Sequence, residues 1–107
     1  MIKYLAFLFV FISLCFKSVY TETSFTVNGN CEMCKERIEK AVKKVKGVKS
    51  ANWSMKTHVI KVVFDSKITN IDKLHQSIAD AGYDTDKVKS TDAKYKALPT
   101  CCQYKRQ

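Results

Sequence analysis

The residues best suited to chemistry are two cysteines separated by two positions, Cys31 and Cys34. They lie where a predicted strand gives way to a predicted helix, and the first turn of a helix offers unpaired N–H groups and a partial positive charge. Both effects stabilise a thiolate, the form of cysteine that binds a metal ion. Two thiolates suit a soft ion of low coordination number, above all copper(I), whereas a structural zinc site needs four ligands. The pair is therefore a candidate site for one thiophilic ion.

A second cysteine pair, Cys101 and Cys102, lies near the C-terminus. Adjacent cysteines do not pair comfortably with each other, so a disulfide between these two is not expected. Three interpretations stay open: additional ligands for the same ion, a disulfide to one of the first pair, or no role. The two histidines, His58 and His75, are interpreted as ordinary surface residues rather than as ligands.

The spacing of Cys31 and Cys34 also occurs in proteins that exchange thiols and disulfides. Such a redox protein with a thioredoxin-like fold needs a proline loop beside its cysteines and a different order of strands and helices. The single proline of this chain, Pro99, lies in the C-terminal region instead. A redox protein therefore stays an alternative to metal binding, and metal binding is favoured.

Hydrophobic periodicity predicts the elements that position the first pair. Phe25 and Val27 alternate with polar residues, which indicates a short strand that begins at Thr23. A helix follows, with acidic residues in its first turns, lysines in its last turn and Gly47 as its stop. Its predicted buried face consists of Ile38, Ala41, Val42 and Val45.

Hydrophobic periodicity from residue 48 onwards predicts the remaining strands and the second helix. Residues 48–54 and 58–65 are predicted to form a hairpin, and a second helix is predicted between Thr69 and Gly82. Residues 86–90 are predicted to form a last short strand. The order strand, helix, strand, strand, helix, strand predicts an α+β, ferredoxin-like βαββαβ sandwich, with one antiparallel sheet and both helices on one face. The predicted buried residues of the second helix are Ile71, Leu74, Ile78 and Ala81.

Both ends of the chain are expected to lie outside this domain, which we place at residues 21–90. Residues 1–20 have the pattern of a signal peptide, because Lys3 precedes an apolar run that is too short to span a membrane. The cleavage site is not marked clearly, and Cys15 also allows a lipid anchor. Residues 91–107 are predicted to form a flexible, cysteine-containing tail. Tyr104 and the last basic residues are interpreted as part of that solvated tail.

The distribution of charge along the chain argues against a nucleic-acid partner. Its formal net charge is +9, but the lysines are spread along the chain and no aromatic residues alternate with them for base stacking. They recur on polar helix positions, which is typical of a solvated face. Four basic residues near the first cysteine pair could also favour an acidic partner surface: Lys35, Arg37, Lys40 and Lys44.

Several short motifs give the chain a resemblance to a known family. They are Cys31-x-x-Cys34 after a first strand, Gly47-Val48, Val62-Val63-Phe64-Asp65 and Ala81-Gly82-Tyr83. With these motifs, residues 23–88 resemble the heavy-metal-associated domain. That family includes copper chaperones, metal-binding domains of copper-exporting P-type ATPases and a periplasmic mercury-binding protein. The resemblance implies capture and transfer of a metal ion without catalysis.

The resemblance also implies roles for particular residues. Cys31 and Cys34 correspond to the two metal ligands, and Tyr83 corresponds to a position that shields the metal site in many bacterial members. Tyr83 can equally be a partly buried aromatic residue after a helix stop. The chain departs from the family pattern before the helix, where Asn28-Gly29-Asn30 replaces the usual Gly-Met-x.

These observations favour an exported, periplasmic or secreted protein, which a lipid or an uncleaved signal could anchor to a membrane. It is expected to capture copper(I) and to transfer or sequester it, with mercury(II) or another soft ion as the alternative cargo. The expected partner is a metal-transporting ATPase or another metal-binding protein domain.

Overall fold

The computed structural model describes residues 19–106. The elements along this part of the chain are β1 (Tyr20–Thr26), α1 (Glu32–Lys43), β2 (Val48–Trp53), β3 (Val59–Asp65), α2 (Ile71–Asp80) and α3 (Asp92–Lys96), followed by a 3-10 helix at Thr100–Cys102. The predicted signal peptide and the candidate lipid anchor at Cys15 lie outside the described residues. Within 19–106 no helix is long and apolar enough to cross a membrane.

The three strands form one antiparallel sheet in the order β1-β3-β2. Strand β1 pairs with β3 from Tyr20 opposite Asp65 to Thr26 opposite Val59. Strand β2 pairs with the other edge of β3, and the register shifts between Val48 and Ser50. The central strand is therefore β3, whose Ile60, Val62 and Phe64 are buried as their alternation predicts.

The core lies between this sheet and the two long helices. Ile38 and Val42 of α1 and Leu74 and Ile78 of α2 are fully buried in one cluster with the inward side chains of the strands. Trp53, at the end of β2, is fully buried in the same cluster. The α+β class predicted from the sequence is confirmed, because one antiparallel sheet packs against the two long helices.

The predicted last strand at residues 86–90 is wrong. Only Thr85 pairs with the sheet, through a single antiparallel bridge to Val27. The Thr85 hydroxyl then accepts hydrogen bonds from the Lys87 and Val88 N–H groups, at 3.1 and 2.9 Å. These bonds close a turn, and a turn cannot continue a strand ladder.

The start of the second helix also differs from the prediction. Asn70 is the N-cap, and its side chain accepts a hydrogen bond from the Lys73 N–H at 3.0 Å. Ile71, in the first turn, is 39% exposed, while His75 is only 2% exposed. The helix buries the face formed by Leu74, His75, Ile78 and Ala79.

The interpretation of His75 as a surface residue is wrong. Its ring stacks on Phe25 with centroids 3.8 Å apart, and Nδ1 lies 2.6 Å from the Thr85 hydroxyl. Burial lowers the pKa of this histidine, which keeps the ring neutral in the core. His58 is half-buried and stacks on Trp53 with centroids 5.5 Å apart.

The C-terminal segment, residues 91–106, is not the flexible tail that its polar composition predicts. Thr91 caps α3 by accepting a hydrogen bond from the Lys94 N–H at 3.2 Å. Beyond α3, Leu98, Cys102 and Tyr104 are buried in the same cluster as the rest of the core. The apolar residues of this segment are too far apart for helical or strand periodicity, which is why the pattern predicts a tail.

Candidate metal centre

The loop between β1 and α1 is held close to the body of the domain. After the bridge at Val27, the Asn28 N–H donates to the Asp84 carbonyl at 2.9 Å. Gly29 lies directly on Trp53, and a Cβ at this position would come within 3.1 Å of two indole carbons. The close packing on Trp53 therefore favours glycine here, although it stands one position away from the usual family pattern.

This loop delivers Cys31 and Cys34 to one place at the start of α1. Cys31 is the N-cap residue, with an extended backbone at φ −152°, and Cys34 lies one turn further along. Their sulfur atoms are 3.3 Å apart. Cys31 is half-buried and Cys34 is fully buried. The structure thus brings the two predicted ligands together at the edge of the core.

The two thiols differ in acidity. The Cys34 backbone N–H lowers the pKa of Cys31 and outweighs the opposing effect of burial, with further help from neighbouring thiols and the Met33 N–H. Burial raises the pKa of Cys34 to about 11. The Cys34 Sγ also donates to the Asn30 side-chain oxygen at 3.1 Å. Cys31 is therefore the more acidic member of the pair.

The C-terminal segment brings the second cysteine pair to the same place. The Cys102 Sγ lies 3.9 Å from the Cys31 Sγ and 4.0 Å from the Cys101 Sγ. The Sγ atoms of Cys31, Cys101 and Cys102 all lie within 4.8 Å of one another. All four thiols are free. Of the roles left open by the sequence, this proximity is compatible with shared ligation and with a disulfide.

The members of the second pair have different surroundings. Cys102 is fully buried, and burial raises its pKa. Cys101 is exposed, and its Sγ lies 3.7 Å from the sulfur of Met33, which is 46% exposed. The second pair therefore has one thiol on the core side of Cys31 and one on the solvent side.

Tyr83 lies beside the thiols on the core side. The side chain is fully buried, and its hydroxyl has no hydrogen-bond partner among the described residues. Burial raises the pKa of Tyr83, and the neighbouring Cys102 and Cys34 thiols raise it further. Both interpretations of Tyr83 agree with this position, because it is a buried aromatic residue that also covers one side of the cysteines.

Sequence reasoning missed the residues that hold the C-terminal segment in place. Tyr104 is buried, its hydroxyl donates to the Gly82 carbonyl at 3.0 Å, and it accepts from the Asp84 N–H at 2.8 Å. Arg106 forms two hydrogen bonds to the Asp84 carboxylate, both at 2.9 Å. Tyr104 thus contacts the backbone of Gly82 and Asp84, and Arg106 contacts the Asp84 carboxylate. We call these contacts the C-terminal clasp. Tyr104 is an aromatic residue in an otherwise polar segment, and this is the one sequence signal that could have indicated a buried C-terminal segment.

Comparisons with known proteins agree on a metal-binding family. The copper-transporting ATPase HMA4 of Oryza sativa subsp. japonica is 39% identical over 62 residues, which are 58% of this chain and 6% of that protein. The mercuric transport protein periplasmic component of Serratia marcescens is 38% identical over 53 residues, which are 50% of this chain and 58% of that protein. The chain therefore spans a small part of the ATPase and little more than half of the mercuric protein.

Solved structures show the same likeness. Oxidized MerP from Ralstonia metallidurans CH34 superposes with a TM-score of 0.60 at 32% identity, over 63% of this chain and 94% of that one. The CopZ metallochaperone superposes with a TM-score of 0.59 at 27% identity, over 61% of this chain and 98% of that one. A model of the heavy-metal-associated domain matches residues 24–84, more than half of the chain. This chain therefore belongs to the heavy-metal-associated domain family, whose members bind soft metal ions.

Proposed function

We propose that the protein captures one copper(I) ion between Cys31 and Cys34 and either transfers it to a partner or sequesters it. The observation that carries this proposal is the 3.3 Å separation of the two sulfur atoms at the N-terminus of α1. Two thiolates suit a soft ion, and the backbone N–H groups at the helix end lower the pKa of Cys31. The proposed activity is binding and exchange, without a catalytic step.

The unequal exposure of the two cysteines supports exchange with a partner. Cys31 is half-buried and Cys34 is fully buried, so an incoming thiolate can reach the ion from the Cys31 side. The incoming sulfur bonds to the ion before Cys31 leaves, and each ion–sulfur bond that breaks is replaced by another. The ion therefore never needs to leave as a free species.

The proposed partner is a metal-transporting ATPase or another metal-binding domain with an acidic surface. One relative is named as a copper-transporting ATPase, which supports this class of partner. Of the basic residues near the site, Lys35 is already used within the domain, because its ammonium group lies 2.7 Å from the Glu39 carboxylate. Arg37 is exposed on α1 three residues after Cys34 and is the better candidate for contact with an acidic surface, whereas Lys44 follows the last residue of α1, at the opposite end from the cysteines.

Mercury(II) is the alternative cargo, because it takes the same two thiolates and one relative is named as a mercuric transport protein.

We also propose that residues 1–20 direct export, which would place the protein in the periplasm or outside the cell. Under that proposal a lipid or an uncleaved signal is the means by which it would stay on a membrane.

The test is an anaerobic titration of the reduced protein with copper(I), and separately with mercury(II), each against a competing chelator. We expect one tightly bound copper(I) ion per chain and loss of binding in the double variant Cys31→Ser/Cys34→Ser. The control is Cys101→Ser, which removes an exposed thiol close to Cys31, leaves both proposed ligands in place and is expected to retain binding. Tight binding of mercury(II) alone would replace copper with mercury as the cargo. Failure to bind either ion, together with rapid disulfide exchange, would favour the redox alternative.

A further inference from the structure

The C-terminal segment adds a buried thiol to the proposed copper site. Cys102 is 0% exposed, although it lies near the end of the described chain in a short 3-10 helix. Its sulfur lies 3.9 Å from that of Cys31, whose sulfur in turn lies 3.3 Å from that of Cys34. The residues that match the family model end at position 84, so this thiol comes from outside the matched part of the chain.

The separations of the Cys31 sulfur from those of Cys34 and Cys102 are closer to three-coordinate than to two-coordinate binding. A metal–thiolate bond of about 2.3 Å puts the sulfurs of a trigonal site about 4.0 Å apart, and those of a linear site about 4.6 Å apart. Cys31 and Cys102 are already 3.9 Å apart, and Cys31 and Cys34 are 3.3 Å apart. The first pair must therefore open less to form a trigonal site with Cys102 than to form a linear site alone.

A buried hydroxyl beside these thiols lacks a partner. The Tyr83 hydroxyl has no hydrogen bond among the described residues, and Cys102 and Cys34 are its neighbours. A buried donor without an acceptor is costly and rare in native structures. When an ion holds Cys102 as a thiolate, that sulfur gains capacity to accept a hydrogen bond from Tyr83. Tyr83 is therefore placed to donate a hydrogen bond to a Cys102 thiolate in the metal-bound protein.

The C-terminal clasp holds Cys102 in this position. Besides its two bonds to Asp84, the Arg106 guanidinium donates to the Ser90 carbonyl at 2.6 Å and to the Asp92 carboxylate at 2.7 Å. It also lies over the Tyr95 ring, 4.9 Å from the centroid. These contacts fix the chain four residues after Cys102, and the Tyr104 hydroxyl fixes it two residues after. These contacts of the fold hold the segment that carries Cys102 beside Cys31.

We propose that Cys102 is a third thiolate ligand of the copper(I) ion and that Arg106 is the residue that positions it. This inference rests on the proposed function and adds to it a coordination number and a means of retention. With three thiolates, an incoming partner must replace Cys102 as well as Cys31 and Cys34 before it can remove the ion. Cys101, exposed on the other side of Cys31 and next to Met33, is outside this set of three.

The test is X-ray absorption spectroscopy of the copper(I)-loaded protein, which counts the sulfur neighbours of the ion and measures their distances. We expect three sulfurs in the wild type, two sulfurs at shorter distance in Cys102→Ser, and three in the matched control Cys101→Ser. Affinity for copper(I), measured against a competing chelator, is expected to fall at least tenfold in Cys102→Ser and to stay within about twofold of wild type in Cys101→Ser.

The positioning role of Arg106 is tested in the same way. In Arg106→Ala we expect the sulfur count to fall towards two while the protein still folds, and in Lys105→Ala, an exposed neighbour, we expect three. Arg106→Lys keeps the charge without the two-pronged contact and is expected to restore the count only partly. Circular dichroism separates a displaced segment from an unfolded protein, because an unfolded variant would lose its helical signal.

The results also separate this inference from the function on which it rests. If Cys31→Ser/Cys34→Ser abolishes binding but Cys102→Ser leaves the sulfur count and the affinity unchanged, the third ligand is overturned and the copper-binding function stands. If Cys31→Ser/Cys34→Ser still binds copper tightly, the proposed function itself is overturned. A sulfur count that falls in Cys101→Ser and not in Cys102→Ser would also overturn the assignment of Cys102.

Discussion

The two cysteine pairs reach the same place by different physical means. The first pair is held by local backbone structure, because it lies at the end of a strand, in a loop packed on Trp53, and at the start of a helix. The second pair is held by side chains that are distant in the sequence, since Tyr104 and Arg106 contact residues about twenty positions earlier. The comparison teaches that a binding site can combine a part common to a family with an added part held by only a few contacts. The position of the first pair should therefore resist substitutions, and the position of the second pair should change more easily.

The largest expected effect is a loss of stability on removal of Trp53, on which the loop before the first cysteine pair packs. Trp53 is fully buried, and its indole N–H donates to the Val27 carbonyl at 3.0 Å. We expect Trp53→Ala to lower the free energy of unfolding by about 3 to 5 kcal/mol, as is typical for removal of a buried aromatic side chain. Urea denaturation measures this loss, and Met55→Ala, at an exposed turn position, is the control. A cost below about 1 kcal/mol would contradict the role we give to Trp53.

A substitution at Gly82 is expected to act on the second pair. Gly82 has φ +105°, and a Cβ there would come within 2.9 Å of both the Lys94 carbonyl oxygen and a Leu98 methyl group. Gly82→Ala should therefore cost about 2 to 4 kcal/mol through backbone strain and overpacking, and should push α3 away from the domain.

Gly47 offers a matched control for this variant. It has φ +99° and an equally close neighbour in Ile68, but it lies at the far end of α1 from the cysteines. We expect Gly47→Ala to destabilise the protein comparably, while amide hydrogen exchange in residues 91–106 increases only in Gly82→Ala. Equal exchange in both variants would show that Gly82 has no special relation to the C-terminal segment.

The expected effect of Arg106→Ala on stability is smaller. It removes two charge-assisted hydrogen bonds to a carboxylate that is nearly fully buried, and bonds of this kind contribute about 1.5 to 3 kcal/mol. We expect a loss of about 2 kcal/mol in urea denaturation and little change in Lys105→Ala. If both variants match the wild type, the clasp does not hold the segment and the contrast between the two pairs disappears.

The smallest expected effect is a dependence of the free energy of unfolding on pH in the acidic range. Burial alone would raise the pKa of Asp84, but the Arg106 guanidinium, together with the Ser90 N–H, outweighs it and holds that pKa below its usual value. A carboxylate of this kind stabilises the fold above its unfolded pKa of about 3.9, and the contribution is lost as the pH falls through the lower folded value. We expect the wild type to lose stability in this range more steeply than Asp84→Asn. Parallel pH profiles would indicate that Asp84 does not titrate with folding.

The sequence predicted the first cysteine pair and the elements around it because each depends on neighbouring residues. Alternation located β3, helical spacing located α1, and the position of Cys31 at the junction followed from both. The second helix was predicted to start at Thr69, whereas Asn70 is its N-cap, and the helix buries His75 and Ala79 rather than Ile71. Local competition between two capping residues is difficult to resolve without the tertiary contacts.

The arrangement of the C-terminal segment could not be predicted in the same way. Leu98, Cys102 and Tyr104 are buried against elements that lie earlier in the chain, and no regular spacing connects them. The burial of His75 is similar, because the space for its ring is provided by Phe25 and Thr85 rather than by its own helix. Contacts of this kind depend on tertiary structure, and periodicity reports only on secondary structure.

The most direct test of the account is a crystal structure of the copper(I)-loaded protein, with anomalous diffraction collected at the copper edge to locate the ion. We predict a single strong peak bonded to the sulfur atoms of Cys31 and Cys34, with Cys102 completing a trigonal set. A peak on these two sulfurs alone would retain the function and remove the third ligand. A peak elsewhere, such as between Cys101 and Met33, would contradict the central claim that the helix N-terminal pair holds the ion.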